Sequence, residues 1–264
     1  MRITVLGKSP SWQDAGGACS GYLVEDGASC LLLDCGSSVF AQLRRVRDYV
    51  DVDAIVVSHM HADHFLDLIP FAHALIYAPR QQRAAADGSA GNGARARPRL
   101  LVPPGAIAML RLLAEAGGQP RLFDAAFALR EYDVAEVVEV GDLRVRLQPV
   151  PHYIPTNAIE VSRGGRDGRF TYGADHRPTD ALREFAAATD LLMLEATLTQ
   201  PEPHEPRGHM TPAEAGAVAA GCDAERLVLT HISDELDYDW ALAQAARSYA
   251  GPIEIARGGG VYEV

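Results

Sequence analysis

The chain has 264 residues, 48% of them hydrophobic, and a formal net charge of −11. That length allows a full hydrophobic core, and the absence of any apolar run of 18 residues argues against a transmembrane helix. The acidic balance argues against a general nucleic-acid binder, which needs clustered Lys and Arg to neutralise phosphates.

The first 35 residues read as three strands, "RITVL" (2–6), "GYLVE" (21–25) and "SCLLLDC" (29–35), with a turn at Asp26-Gly27. The opening residues lack the apolar run and small-residue cleavage site of a signal peptide. Four dispersed cysteines, Cys19, Cys30, Cys35 and Cys222, show no C-x-x-C pairing. They are expected to be free thiols in a reducing cytoplasm. Residues 37–50 have helical spacing at Val39, Leu43, Val46 and Val50, with Ser37 or Ser38 available as N-cap. A buried strand is expected at 52–58, then a helix over 64–78 disturbed at Pro70. The low-complexity stretch 81–98 reads as a mobile surface loop. Its nearby arginines (80, 83, 95, 97, 99) read as solvated charge in preference to a phosphate-gripping lid.

Farther along come a strand at 99–103, a helix at 105–117 stopped by Gly117-Gly118, and a hairpin at 137–150 turning at Gly141-Asp142. A second hairpin spans 158–175. Helices near 179–188, 212–221 and 237–249 then alternate with strands at 190–196 and 226–231, before a strand pair near 253–264. No internal repeat or domain break is visible, so one α/β domain over 1–264 is expected, with two sheets faced by helices.

The chemistry concentrates in "SHMHADH" (58–64), directly after a buried strand. His59 and His61 are two apart and point to one side of an extended backbone. Asp63 and His64 fall where the chain turns into a helix. This differs from the i, i+4 geometry of a helical H-E-x-x-H site.

The pattern H-x-H-x-D-H after an apolar strand resembles the metallo-β-lactamase superfamily, as does Asp34 in "LLLDCG". The resemblance covers nearly the whole chain and implies a four-layered αββα sandwich. It implies three further ligands at strand ends: His152 in "PVPHY", Asp175 in "FTYGAD" and His231 in "LVLTHIS". On it, His59, His61 and His152 hold one divalent metal ion and Asp63, His64 and His231 a second, with Asp175 bridging. Asp34 orients a ligand histidine through its other ring N–H. Such imidazole and carboxylate donors suit Zn²⁺, with Mn²⁺ and Fe²⁺ left open. Two ions carry four positive charges; two carboxylates and a hydroxide leave about +1, suited to a singly charged phosphodiester.

Such a pair of ions would serve hydrolysis of a phosphodiester, lactone, thioester or β-lactam equally. The stretch 195–220 discriminates. Glu195 follows a strand, and His209 in "GHMTPAEA" stands before a helix that Thr211 can cap with Glu214 as capping-box partner. This resembles the phosphodiesterase branch that includes the tRNA 3′-processing endonuclease, ribonuclease Z. There a non-ligand histidine supported by a glutamate contacts the phosphate and helps protonate the leaving group. His209 and Glu195 take those roles on this resemblance, and Asp63 can also accept a proton from the attacking water.

Two features depart from the tRNA enzymes. Only 22 residues separate His152 from Asp175, too few for their substrate-gripping arm. In "GADHRP", His176 and Arg177 replace the usual Thr or Ser after the bridging Asp. The chain most resembles the compact cyclic-nucleotide phosphodiesterases, so the expected substrate is a small or cyclic phosphodiester and a large nucleic acid is less expected. The alternatives are an RNA 3′-processing endonuclease, a lactonase or thioesterase of the same superfamily, or a non-hydrolytic metal-binding protein. No membrane partner is expected, and a homodimer is common among such relatives. His73 and His204 read as packing and solvent residues, while Trp12 and Gln13 could rim the site.

Overall fold

A computed structural model describes residues 1–86, 97–164 and 168–264, with backbone only for 83–86. Its strands are short, apolar and mostly buried on both faces, which requires cover on both sides of each sheet. In β3 (Ser29–Leu33) every residue is buried. Leu31 and Leu33 point to one layer and Leu32 to the other, as the two-residue period of a strand demands.

The first sheet is built from β1 (Arg2–Gly7), β2 (Gly21–Asp26), β3, β4 (Ala54–Val56), β5 (Arg99–Val102), β6 (Ala128–Glu131) and β14 (Val261–Glu263). Its order is β14-β1-β2-β3-β4-β5-β6, antiparallel up to β3 and parallel from β3 onward. The second contains β7 (Val138–Val140), β8 (Leu143–Val150), β9 (Thr156–Arg163), β10 (Arg169–Tyr172), β11 (Leu191–Glu195), β12 (Leu227–Thr230) and β13 (Ile253–Ile255). It runs β13-β12-β11-β10-β9-β8-β7, parallel from β10 to β13 and antiparallel elsewhere.

The sheets share a core that includes Ile3, Val24, Leu33, Val56, Ile159, Val161, Phe170 and Met193. Helices α1 (Val39–Val46), α3 (Leu68–Tyr77), α5 (Ala106–Ala116) and α6 (Leu122–Ala126) cover the first sheet. Helices α7 (Asp180–Phe185), α8 (Pro212–Cys222) and α9 (Tyr238–Ala245) cover the second. The result is the αββα sandwich that the sequence implies.

Several local expectations change. The helix over 64–78 is broken before Pro70, into α2 (Ala62–Phe65) and α3. Asp67, in the break, turns its carboxylate away to accept Phe40 N–H at 2.9 Å. Pro70 lies in the first turn of α3, where its missing N–H costs little. Residues 81–86 are helical rather than loop, forming most of α4 (Pro79–Ala86); 87–96 lie outside the described residues. Ser38 precedes α1 with φ +71 and makes no side-chain cap bond, and Val46, expected on the buried face, is 51% exposed. The last two strands do not pair with each other: β13 extends the second sheet and β14 the first. Helix α6 and edge strand β6 had no clear signature in the sequence.

Candidate metal centre

The strands that feed the site end at one edge of the sandwich, where an α/β sheet offers its open carboxyl ends. From the first sheet, β3 delivers Asp34 and β4 delivers His59, His61, Asp63 and His64. The second sheet contributes His152 after β8, Asp175 after β10, Glu195 at the end of β11 and His231 after β12. Three of these turns use left-handed backbone outside glycine: Asp34 at φ +56, Ala174 at +55 and His231 at +48. Each costs about 1 kcal/mol and aims the next side chain or its own into the site.

Two links hold these turns in place. Gly36 lies against the ligand segment so closely that a Cβ there would sit 1.8 Å from the Asp63 carbonyl oxygen. Cys35 N–H donates to His64 O at 2.7 Å across the same contact. Lys8, the only lysine in the chain, is buried after β1. Its ammonium donates to Ile232 O at 2.7 Å and Tyr238 Oη at 2.6 Å and pairs with Asp14, which fixes the turn bearing His231.

Hydrogen bonds on the outer side of the rings set which nitrogen faces inward. Ser58 O–H donates to Asp34 Oδ2 at 2.8 Å, so its oxygen accepts His59 Nδ1–H at 3.0 Å. His64 Nδ1–H donates to the same Asp34 oxygen at 2.8 Å, where Tyr172 O–H also ends at 3.0 Å. His152 Nδ1–H donates to Gly208 O at 2.8 Å. Thr197 O–H donates to Glu195 Oε2 at 2.7 Å, so Thr197 accepts His231 Nδ1–H at 2.8 Å. In all four rings Nε2 therefore turns its lone pair to the cavity.

Those inner atoms crowd one another. His61 Nδ1 lies 3.1 Å from Nε2 of both His59 and His152, and His59 Nε2 is 3.8 Å from Asp175 Oδ2. His231 Nε2 is 3.0 Å from Asp63 Oδ2 and 3.4 Å from Asp175 Oδ2; His64 Nε2 is 3.4 and 3.3 Å from the same two oxygens. Donor atoms this close need either a proton or a metal cation between them. Donors bound tetrahedrally to Zn²⁺ sit about 3.3 Å apart, since each bond is about 2.0–2.1 Å. His64 Nε2 and Asp175 Oδ1 are buried with no hydrogen-bond partner among the described residues. The donor set fits divalent ions in two groups, His59–His61–His152–Asp175 and Asp63–His64–Asp175–His231, sharing Asp175.

The electrostatics favour neutral rings at two of these positions, while the carboxylates around His64 favour its charged form. Burial holds the His59 pKa well below the ordinary imidazole value and lowers that of His152 to about 4, leaving neutral rings with free lone pairs. Burial opposes charge on His64, yet Asp175 and Asp34 raise its pKa well above normal. Asp63 and Asp175 resist protonation despite burial because histidines surround them.

His209 adjoins both groups. Its ring stacks on His231 with centroids 5.6 Å apart and meets His152 edge-on at 5.0 Å. Its Nδ1–H donates to the Glu195 carboxylate, 2.9 and 3.0 Å from the two oxygens. Burial disfavours a charged His209, but Glu195 outweighs it and raises the pKa to about 9. Glu195 also accepts His176 N–H at 2.8 Å and Met210 N–H at 3.2 Å.

Residues 30–232 match the family described as "Beta-lactamase superfamily domain". The chain belongs to this family. A protein named Ribonuclease Z from Myxococcus xanthus is 29% identical over 307 aligned positions, covering 100% of this chain and 98% of that protein. The probable metallo-hydrolase YhfI of Bacillus subtilis is 28% identical over 264 positions, with both chains covered completely. The crystal structure of YhfI superposes with a TM-score of 0.84 at 24% identity, covering 100% and 99% of the two chains. The short form of human tRNase Z has the same fold at TM-score 0.74 and 20% identity, covering 99% and 98%. As a member of this superfamily the protein is a hydrolase, with clusters of histidine and aspartate built to bind divalent metal.

The structure brings together all seven predicted ligands, Asp34, Glu195 and His209. His176 contributes through its backbone; its ring turns to Arg177 O at 3.0 Å. Arg177 is on the outside, 3.9 Å from Glu205. His73 packs against Ile69 O at 2.8 Å, and His204, Trp12 and Gln13 are exposed. Arg80 pairs with Asp48, Arg97 donates to the Asp124 and Phe127 carbonyls, and Arg99 to Glu139 O, so these three tie down the surface. Arg95 and the Arg83 side chain lie outside the described residues. Sequence reasoning missed Ser58, Thr197, Glu202 and Gly208. Ser58 could have been found beside His59; the others face the site only through tertiary contacts.

Proposed function

We propose that this chain is a dinuclear metal-dependent phosphodiesterase acting on a small or cyclic phosphodiester, such as a cyclic nucleotide or cyclic ribose phosphate. His59, His61 and His152 would hold one ion, Asp63, His64 and His231 the other, with Asp175 between them. Two divalent ions there, Zn²⁺ fitting the donors and Mn²⁺ or Fe²⁺ competing, would supply an activated water and neutralise charge on the phosphoryl oxygens. His209 binds the phosphoryl group and delivers a proton to the leaving oxygen from Nε2, which makes no hydrogen bond among the described residues. Glu195 holds the imidazole in that orientation and favours its protonated form.

The single observation that carries this reading is the Glu195–His209 pair, a non-ligand acid seated against both ligand groups. The complete alignment with YhfI, without the longer span needed by the Myxococcus relative, supports a compact enzyme without a gripping arm. Four buried, unpaired cysteines suit the cytoplasm. The test is hydrolysis of bis-p-nitrophenyl phosphate and of 2′,3′- and 3′,5′-cyclic nucleotides by protein of known metal content. Metal-dependent turnover is expected; its absence on every diester would sink the proposal. Cleavage of precursor tRNA alone would favour RNA 3′-end processing, the reading that the Myxococcus relative's name supports. Turnover of a lactone or thioester that survives His209→Ala would favour those hydrolases.

A further inference from the structure

Tyr153 directly follows the ligand His152 and is 45% exposed. Its ring centroid lies 4.8 Å from that of His152 and 5.7 Å from that of His209, meeting the latter at 70°. An aromatic surface thus stands at the mouth of the site, beside one ligand and beside the proposed acid.

The ring is held rigidly. Its hydroxyl donates to Glu202 Oε1, while Glu202 Oε2 accepts Gly208 N–H at 2.7 Å and His209 N–H at 3.2 Å. The ring lies against Gly208, where a Cβ would come within 2.5 Å of it and 2.9 Å of His152 Nδ1. Glycine at 208 lets the backbone pass under the ring while its carbonyl holds His152. A half-exposed aromatic fixed at its hydroxyl and packed on the backbone beside it loses little further freedom when a ligand covers it.

We propose that Tyr153 is a specificity-determining residue that stacks on the base of the substrate, making the preferred phosphodiester a nucleotide rather than a base-free sugar phosphate. This rests on the phosphodiesterase reading and narrows it. A ribose phosphate offers hydroxyls, which call for hydrogen-bonding partners and gain little from a π-face. A nucleobase of any identity offers a flat surface that an ordered aromatic ring recognises.

The test compares 2′,3′-cyclic AMP with a base-free analogue, 1-O-methylribose 2,3-cyclic phosphate, on metal-loaded wild type, Tyr153→Leu and Tyr153→Phe. Leucine keeps apolar bulk over Gly208 and removes the π-face; phenylalanine keeps the face and removes the hydroxyl. In Tyr153→Leu, KM for the nucleotide should rise about 5- to 150-fold, the range of one base–aromatic stack. KM for the base-free analogue should stay within about threefold, and Tyr153→Phe should retain most of the nucleotide preference. The ratio of the two substrates cancels any loss of metal through His152. An unchanged ratio in Tyr153→Leu, or no nucleotide preference in wild type, overturns the inference and leaves the phosphodiesterase reading standing. Failure of wild type to cleave either diester overturns that reading and the inference with it.

Discussion

His209→Ala tests the proposed acid most directly. The substitution removes one donor from Glu195, but His176 N–H, Met210 N–H and the Thr197 hydroxyl still end on its two oxygens. The carboxylate stays satisfied, and the folded state should lose only about 1–3 kcal/mol, the scale of one charged hydrogen bond. A positioned general acid contributes about 10²- to 10⁴-fold, or about 2.7–5.4 kcal/mol of transition-state stabilisation. That contribution depends on the leaving group. A ribose hydroxyl leaves poorly as an alkoxide and needs the proton, whereas p-nitrophenolate carries its own charge and does not. With 2′,3′-cyclic AMP, kcat should therefore fall by about 10² or more. With bis-p-nitrophenyl phosphate the fall should be at least about tenfold smaller, reflecting only lost phosphate contact. Steady-state rates on both esters, with metal content and melting temperature checked, decide the matter. Equal losses on both would refute proton delivery, and a loss below tenfold on the cyclic nucleotide would remove His209 from the chemistry altogether.

Other consequences can be measured separately. Asp34→Ala strips His64 Nδ1, Ser58 and Tyr172 of a shared acceptor, so metal affinity by chelator competition should weaken about 10- to 100-fold; unchanged affinity would show that Asp34 does not orient the ligands. Lys8→Met takes the cation from Asp14, which keeps only the Asp234 N–H, and frees the His231 turn; this should cost about 3 kcal/mol in urea denaturation, and a cost within error would remove Lys8 from that support. Burial raises the thiols of Cys19 and Cys30 to about 12 and that of Cys222 to about 11, and it also holds Cys35 well above the ordinary thiol value. Because the thiolate is the reactive form, Ellman's reagent at pH 8 should label none in the folded protein and all four after unfolding; rapid labelling of any one would contradict this burial.

The parts of the site legible in the sequence are those where local pattern and position coincide. His59 and His61 share one side of an extended segment, and Asp63 and His64 begin the helix after it. Asp34, His152, Asp175 and His231 each end an apolar strand, so strand recognition and ligand recognition reinforced each other. The layering was legible for a similar reason: strands such as "CLLL", buried on both faces, require cover on both. What stayed hidden depends on contacts between distant segments. Thr197 matters because His231, 34 residues away, donates to it. Gly208 matters because Tyr153 and His152 press on it. The break at Leu66–Asp67 follows from Phe40 capturing the Asp67 carboxylate, which no helix propensity records. The separation of β13 from β14 reflects which sheet edge was free, a property of the whole topology.

Neither half of the chain contains a complete set of donors. Each ligand group takes two side chains from the segment after β4, either its loop or the short helix α2, and two from the ends of strands in the second sheet. An ion held there would pin the ends of the two sheets together, and its binding energy would add to what keeps them in register. Neither metal group would then form until both halves have packed together, since each draws its donors from both.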